Sequence, residues 1–237
     1  MKLPFYSLMI LLILLSCSHQ IKMTKEKSPY EKAITADTTA NYSVFKYIDR
    51  LTPDDYYSKL DSIKKDLTDD FFTLRMAYTK TSDFNPYDTD IADIYKSIVE
   101  AIHSSDYDHG LELADSILKH NYVDLRAHMY CGYIYKQLND TLKSNYHNWC
   151  YEGLINSIKQ SGDGRTAKTA FIVITTREEY GLLDWYNLRF KEQSLVMKDG
   201  HDFDILEAKD DEANEEYNIY FNIDIPFRSM LKMFDGK

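Results

Sequence analysis

The stretch Ser161-Gly162-Asp163-Gly164-Arg165-Thr166-Ala167-Lys168-Thr169-Ala170-Phe171-Ile172-Val173-Ile174 decides the fold. It closes a longer run, Tyr107 to Thr176, whose apolar residues recur at helical spacing before the glycines and run unbroken from Ala170 to Ile174. Gly162 and Gly164 suit a helix C-terminal cap and a tight turn at positive φ, and Asp163 suits a turn fixed by nearby backbone amides. Ser161, Gly162, Asp163 and Gly164 therefore read as a structural corner; a lone aspartate is far from the acidic spacing of a calcium loop. Helices precede the corner and strands follow it, which makes the chain α+β.

Working upstream, four stripes at helical spacing run over Ile91–Ile102, Tyr107–Leu118, Ala127–Leu138 and Leu142–Gly153. Only a few polar residues join them, so neighbouring helices must lie antiparallel. Thr52-Pro53-Asp54-Asp55 and Thr68-Asp69-Asp70 start two earlier helices, with a capping side chain and acids at the positive helix end. Gly132 and Tyr135 stand three apart, and Gly110 and Ser144 stand 34 apart at a small-residue position. This spacing resembles the tetratricopeptide repeat, although His128, Leu138 and Asn148 depart from its pattern.

Downstream the period shortens to two. Thr169–Ile174 reads as a central strand, apolar on both faces, and residues 177–188 as a short helix. Lys198-Asp199-Gly200-His201 carries the Asp-Gly of a two-residue hairpin, residues 217–223 alternate as a strand, and Pro226 opens a last helix. A helical region over 42–160 and a β-rich region over 161–237 thus form one continuous domain, the sheet small and mostly antiparallel.

The corner also carries a family resemblance. Ser161–Gly164, then Thr169 to Ile174 with Ile172 at a variable position, then Glu178-Glu179-Tyr180, resemble the core of an uncharacterised family of bacterial lipoproteins, a domain of unknown function. That resemblance implies a fold and an address, with no activity attached.

The N-terminus agrees with the address. Lys2 and the apolar Leu8–Leu15 form a short secretory leader over 1–16, and Leu14-Leu15-Ser16-Cys17 resembles the lipobox of bacterial lipoproteins. The resemblance implies cleavage before Cys17, lipidation of Cys17, and a membrane anchor that does not span the bilayer. Residues 17–41 then read as a lipidated, flexible tether. Ser18 and His19-Gln20-Ile21-Lys22 lack the residues that signal inner-membrane retention or surface display in such proteins, which favours the periplasmic face of the outer membrane. The net charge of -10 opposes nucleic acid or an anionic membrane surface as a partner. Cys131 and Cys150 are too few for a disulfide scaffold and read as two buried thiols.

Chemistry is harder to find. Gly162–Thr169 falls one residue short of a phosphate-binding loop, but that loop needs a strand before it and a helix after it, the reverse of this order. No nucleotide or other cofactor is therefore expected. His128 and His147 lie on adjacent helices without a third metal ligand, Glu178 and Glu179 point to different helix faces, and no nucleophile motif is present. Among the 20 tyrosines, Tyr122, Tyr130 and Tyr151 lie off the apolar stripes. Arg126, His128 and Tyr130 share one helix as a cation, a titratable ring and an amphipathic aromatic, suited to a peptide or acidic segment. A non-enzymatic protein-interaction or assembly module is the leading expectation. A glycan- or ligand-binding accessory lipoprotein is the alternative, with an envelope hydrolase third.

Overall fold

Carboxylates start most of the helices. The computed structural model describes residues 43–66 and 68–235, and nine α-helices form among them: α1 (Ser43–Ile48), α2 (Pro53–Lys64), α3 (Phe71–Tyr78), α4 (Ile91–His103), α5 (Tyr107–His120), α6 (Leu125–Gln137), α7 (Thr141–Lys159), α8 (Thr176–Trp185) and α9 (Asp224–Asp235). The 1–16 leader, Cys17 and the 17–41 tether lie outside the described residues. Thr52 opens α2 through a reciprocal box: its Oγ1 accepts from the Asp55 amide at 3.4 Å while its own amide donates to Asp55 Oδ2 at 2.8 Å. Asp70, Asp106, Asp124 and Asp140 cap α3, α5, α6 and α7, each accepting from the amide three residues on at 2.9–3.3 Å. Part of the negative charge therefore sits where helix ends favour it.

The 34-residue register is visible in the turns. Ser105 and Asn139 both adopt φ 60°, and the amides of Asp106 and Asp140 both reach back to the carbonyls of Ala101 and Tyr135 at 2.9 Å. Each of the α4–α5 and α6–α7 hairpins is thus closed by a left-handed residue at the same position and recaptured by an aspartate. Between α6 and α7 the Ser144 hydroxyl donates to the Gly132 carbonyl at 2.8 Å, which brings the two backbones close. Cys131 and Cys150 are buried free thiols on these helices.

The corner after α7 is built as a set of backbone clasps. Ser161 Oγ donates to the Ile158 carbonyl at 2.6 Å and accepts from the Ile172 amide at 2.8 Å. The amides of Asp163 and Gly164 both donate to the Thr169 carbonyl, at 2.9 and 2.8 Å, and Asp163 Oδ1 accepts from the Arg165 amide. Gly164 has φ +68°, as a left-handed turn demands, but Gly162 does not; a Cβ on Gly162 would lie 2.3 Å from the Thr169 carbonyl oxygen, so sterics rather than φ require its glycine.

A 3-10 turn, Ala167–Thr169, leads into β1 (Phe171–Ile172), followed by β2 (Arg189–Lys198), β3 (His201–Asp210) and β4 (Glu215–Asn222). The order is β1-β4-β3-β2, with β1 parallel to β4 and both other pairs antiparallel. Asp199 and Gly200 both have positive φ, 54° and 79°, and close the β2–β3 hairpin. The central strand expected at Thr169–Ile174 is instead two residues long and lies at the sheet edge. It is apolar on both faces because it is buried where α7 packs beside it. The last helix starts two residues before Pro226, within the first turn, where proline is tolerated.

One buried side chain joins the two regions. Arg75 of α3 is fully buried; its Nη1 donates to Ser157 Oγ on α7 and its Nη2 to the Ile172 carbonyl on β1, both at 2.6 Å. Its Nε stands 3.3 Å from Glu178 Oε1 on α8, an ion pair without hydrogen-bond alignment, and Glu178 Oε2 accepts from the Ile174 amide at 2.8 Å. Burial disfavours both charges, and each partner offsets that cost for the other. Replacing Arg75 with Met strands a buried carboxylate, so Arg75→Met is expected to cost about 3–5 kcal/mol in urea unfolding. The double variant Arg75→Met/Glu178→Leu should recover most of that loss.

Candidate functional site

Two helix N-termini meet beside this junction. Asp124 caps α6 with Oδ1 on the Ala127 amide at 2.9 Å, and its Oδ2 accepts from the Tyr95 hydroxyl at 2.6 Å. That cap puts Arg126 at the second position of α6. Thr175, buried, precedes α8 without a side-chain cap bond; the Glu178 amide donates to the Thr175 carbonyl at 3.1 Å, and the Glu178 carboxylate accepts from the Ile174 amide. That arrangement puts Arg177 at the second position of α8. The depression between them is lined by Tyr95, Asn121, Asp124, Arg126, Thr175 and Arg177, among others.

Its electrostatics run against the rule for helix ends. Cations are disfavoured at helix N-termini by about 0.3–1 kcal/mol each. Here two arginines occupy such positions side by side, and neither forms an ion pair with a described residue. The two carboxylates beside them are engaged elsewhere: Asp124 with its cap and Tyr95, Glu178 with Arg75. Arg126 lies over the Tyr95 ring, 5.5 Å from its centroid, and Tyr130 packs on the same ring at 6.1 Å. The buried Asn121 Oδ1 has no hydrogen-bond partner. Enclosed space amounts to about 10 Å³, room for roughly one water and far short of a small-molecule pocket. The geometry fits an oxygen-rich anionic group presented from outside, met by two guanidinium forks.

The expected surface divides accordingly. Arg126 lines the depression and Tyr130 lies half-buried one turn along. His128 does not belong to that surface: it is fully buried, because α6 is packed between α5 and α7 and touched by α8. Tyr122 is likewise buried, its hydroxyl shared with Tyr146, and Tyr151 packs separately against Trp185 at 5.7 Å. Arg177 and Tyr95 complete the depression and were not among the expected residues. The signal available for Arg177 was its place in Thr175-Thr176-Arg177-Glu178-Glu179, a cation in a first helical turn.

His128 and His147 form a second cluster. His128 Nε2 faces the Tyr122 carbonyl at 2.9 Å and must carry its proton, so His128 Nδ1 accepts from the Nδ1–H of His147 at 3.0 Å. Burial first, then His147, lowers His128 to about 3; burial lowers His147 to about 4. Both rings are therefore neutral near pH 7. Elsewhere Glu179 and Asp204 face each other's field, buried; Gln193 donates to Asp204 at 2.8 Å, and both Glu179 oxygens lack a hydrogen bond. Burial, then the charges of Asp204 and Glu178, push Glu179 up to about 9. Among the described residues no three His, Cys, Asp or Glu side chains stand together as a metal site.

These shifts act in opposite directions on stability. The unfolded chain binds histidine protons that the folded one refuses, so stability falls as pH drops from about 6.5 toward 4. The folded chain holds a Glu179 proton that the unfolded one releases, so stability also falls as pH rises from about 4.5 toward 9. Glu179→Gln should gain stability relative to the wild type between about pH 5 and about pH 8, read as the difference in melting temperature. A difference that stays constant with pH would contradict a protonated Glu179.

No curated protein and no solved structure matches the chain. A family model described as a domain of unknown function, DUF4919, matches residues 31–232. That span takes in both arginines of the depression, the Arg75 junction and the whole sheet, and the chain belongs to this family.

Proposed function

We propose that this chain is a lipid-anchored lipoprotein of the cell envelope, held through Cys17 on the periplasmic face of the outer membrane. It acts there as a protein-interaction module that captures an acidic segment of a partner protein. The observation that carries the reading is the pair Arg126 and Arg177, two cations at two helix N-termini that form no ion pair with a described residue, in a chain of net charge -10. A carboxylate there would relieve both unfavourable placements and gain charge-assisted hydrogen bonds worth about 1.5–3 kcal/mol. The glycan-binding alternative has less support, because Tyr122 is buried with its hydroxyl shared with Tyr146, while Tyr130 packs on the Tyr95 ring and Tyr151 on Trp185.

A photoreactive side chain at Met129, exposed one turn beyond Arg126, tests the capture in intact cells. Protein adducts are expected at segments rich in Asp and Glu, and they should fall at least about tenfold in Arg126→Gln/Arg177→Gln, as the loss of about 1.4 kcal/mol requires. Adducts unchanged in the double variant would contradict the reading. Cys17→Ser tests the address separately: the protein should leave the membrane pellet for the soluble envelope fraction, and unchanged fractionation would overturn lipidation.

A further inference from the structure

Among the described residues, no strand pairs with the outer edge of β2. Every residue of β2 is exposed, and among the described residues only β3 pairs with it. Leu195 and Met197 are 62 % and 76 % exposed, large apolar side chains next to a row of unpaired backbone groups. Edge strands are ordinarily guarded by bulges, prolines and outward charges. Here the bulge lies between Phe190 and Glu192, at the start of the strand, and no proline follows. Arg189 is drawn to Asp211, and Lys191 is drawn inward to Glu207 and Glu216. The remaining run, Glu192 to Lys198, is regular and carries charges only at its two ends.

Its charges fit a second copy of itself. Glu192 and Lys198 form no ion pair with a described residue, and Glu192 stands opposite another carboxylate, Glu207, on β3. They lie three residues to either side of Leu195. An antiparallel partner strand centred on Leu195 therefore sets Glu192 of each copy against Lys198 of the other, Leu195 against Leu195, and Gln193 against Met197. Directly opposed residues of an antiparallel pair share one face of the sheet, so competing registers differ from this one by whole residues in their centre. A full step either way leaves both charges unmatched. We propose that two copies of this chain join through β2, edge to edge and antiparallel about Leu195, into one continuous sheet related by a two-fold axis.

This inference is independent of the acidic-segment reading and uses none of its residues. Directly opposed residues have Cβ atoms about 4.5–5.5 Å apart, and a closing movement of about 1 Å brings them to the roughly 3.5–4.5 Å of a disulfide. In membranes carrying the full chain, Leu195→Cys should give an oxidised homodimer that reductant dissolves, and the wild type, with its native cysteines, should not. Glu192→Cys or Lys198→Cys alone should stay monomeric, while the two expressed together should cross-link. Lys198→Glu should abolish the Leu195→Cys dimer, and adding Glu192→Lys should restore it. Failure of Leu195→Cys to self-link, equal linking by Glu192→Cys alone, or linking of Leu195→Cys to a different protein would each overturn the proposal. Sedimentation of the detergent-solubilised full chain gives a check without substitutions: a dimer is expected, and a monomer at every concentration would overturn it.

Discussion

The buried guanidinium of Arg75 fixes how the helical region and the sheet meet. It reaches Ser157 on α7, the Ile172 carbonyl on β1 and Glu178 on α8, so three elements distant in sequence are set by one planar group. A buried charge of this kind is tolerable only when its partners are fully in place. That requirement couples the end of the helical array to the start of the sheet. It also fixes the first turn of α8, whose Glu178 carboxylate is committed to Arg75 and the Ile174 amide.

The depression lies beside that junction. Arg177 at the second position of α8 forms no ion pair with a described residue, and Arg126 stands in the same position on α6. Elsewhere the chain obeys the electrostatics of helix ends closely, placing Asp70, Asp106, Asp124 and Asp140 as caps. Against these caps, Arg126 and Arg177 place two cations in the first turns of α6 and α8, both lining one depression. The enclosed space, about 10 Å³, has room for roughly one water.

Much of the fold was legible because local chemistry and global structure agree. The helical stripes, the Thr52 box, the Asp-Gly hairpin and the 34-residue register each depend on neighbours in sequence, and all are present. What was illegible depends on what packs from far away. An unbroken apolar run reports burial of both faces and says nothing of position in a sheet, so β1 read as central although it is an edge strand beneath helices. His128 lies beside the stripe of Ala127 and Cys131, and α6 buries a wider arc than one stripe because several elements surround it. Tyr122 lies in the short connector between α5 and α6, a place that is ordinarily exposed, yet its ring turns inward to Tyr146 and Cys150. Arg126 was legible as an exposed cation; its counterpart Arg177 was not, since the two meet only once α8 folds back across α6.

The central claim is that the Arg75 junction makes the helical array and the sheet one cooperative unit. Native-state hydrogen exchange of individual amides tests it most directly, comparing Cys131 and Ile134 in α6 with Leu206 in β3 and Phe221 in β4. The account predicts that the slowest amides of both regions exchange through the same opening, with the same free energy and the same dependence on urea. Exchange of the sheet amides through a separate, lower-energy opening, while the α6 amides stay protected, would contradict it.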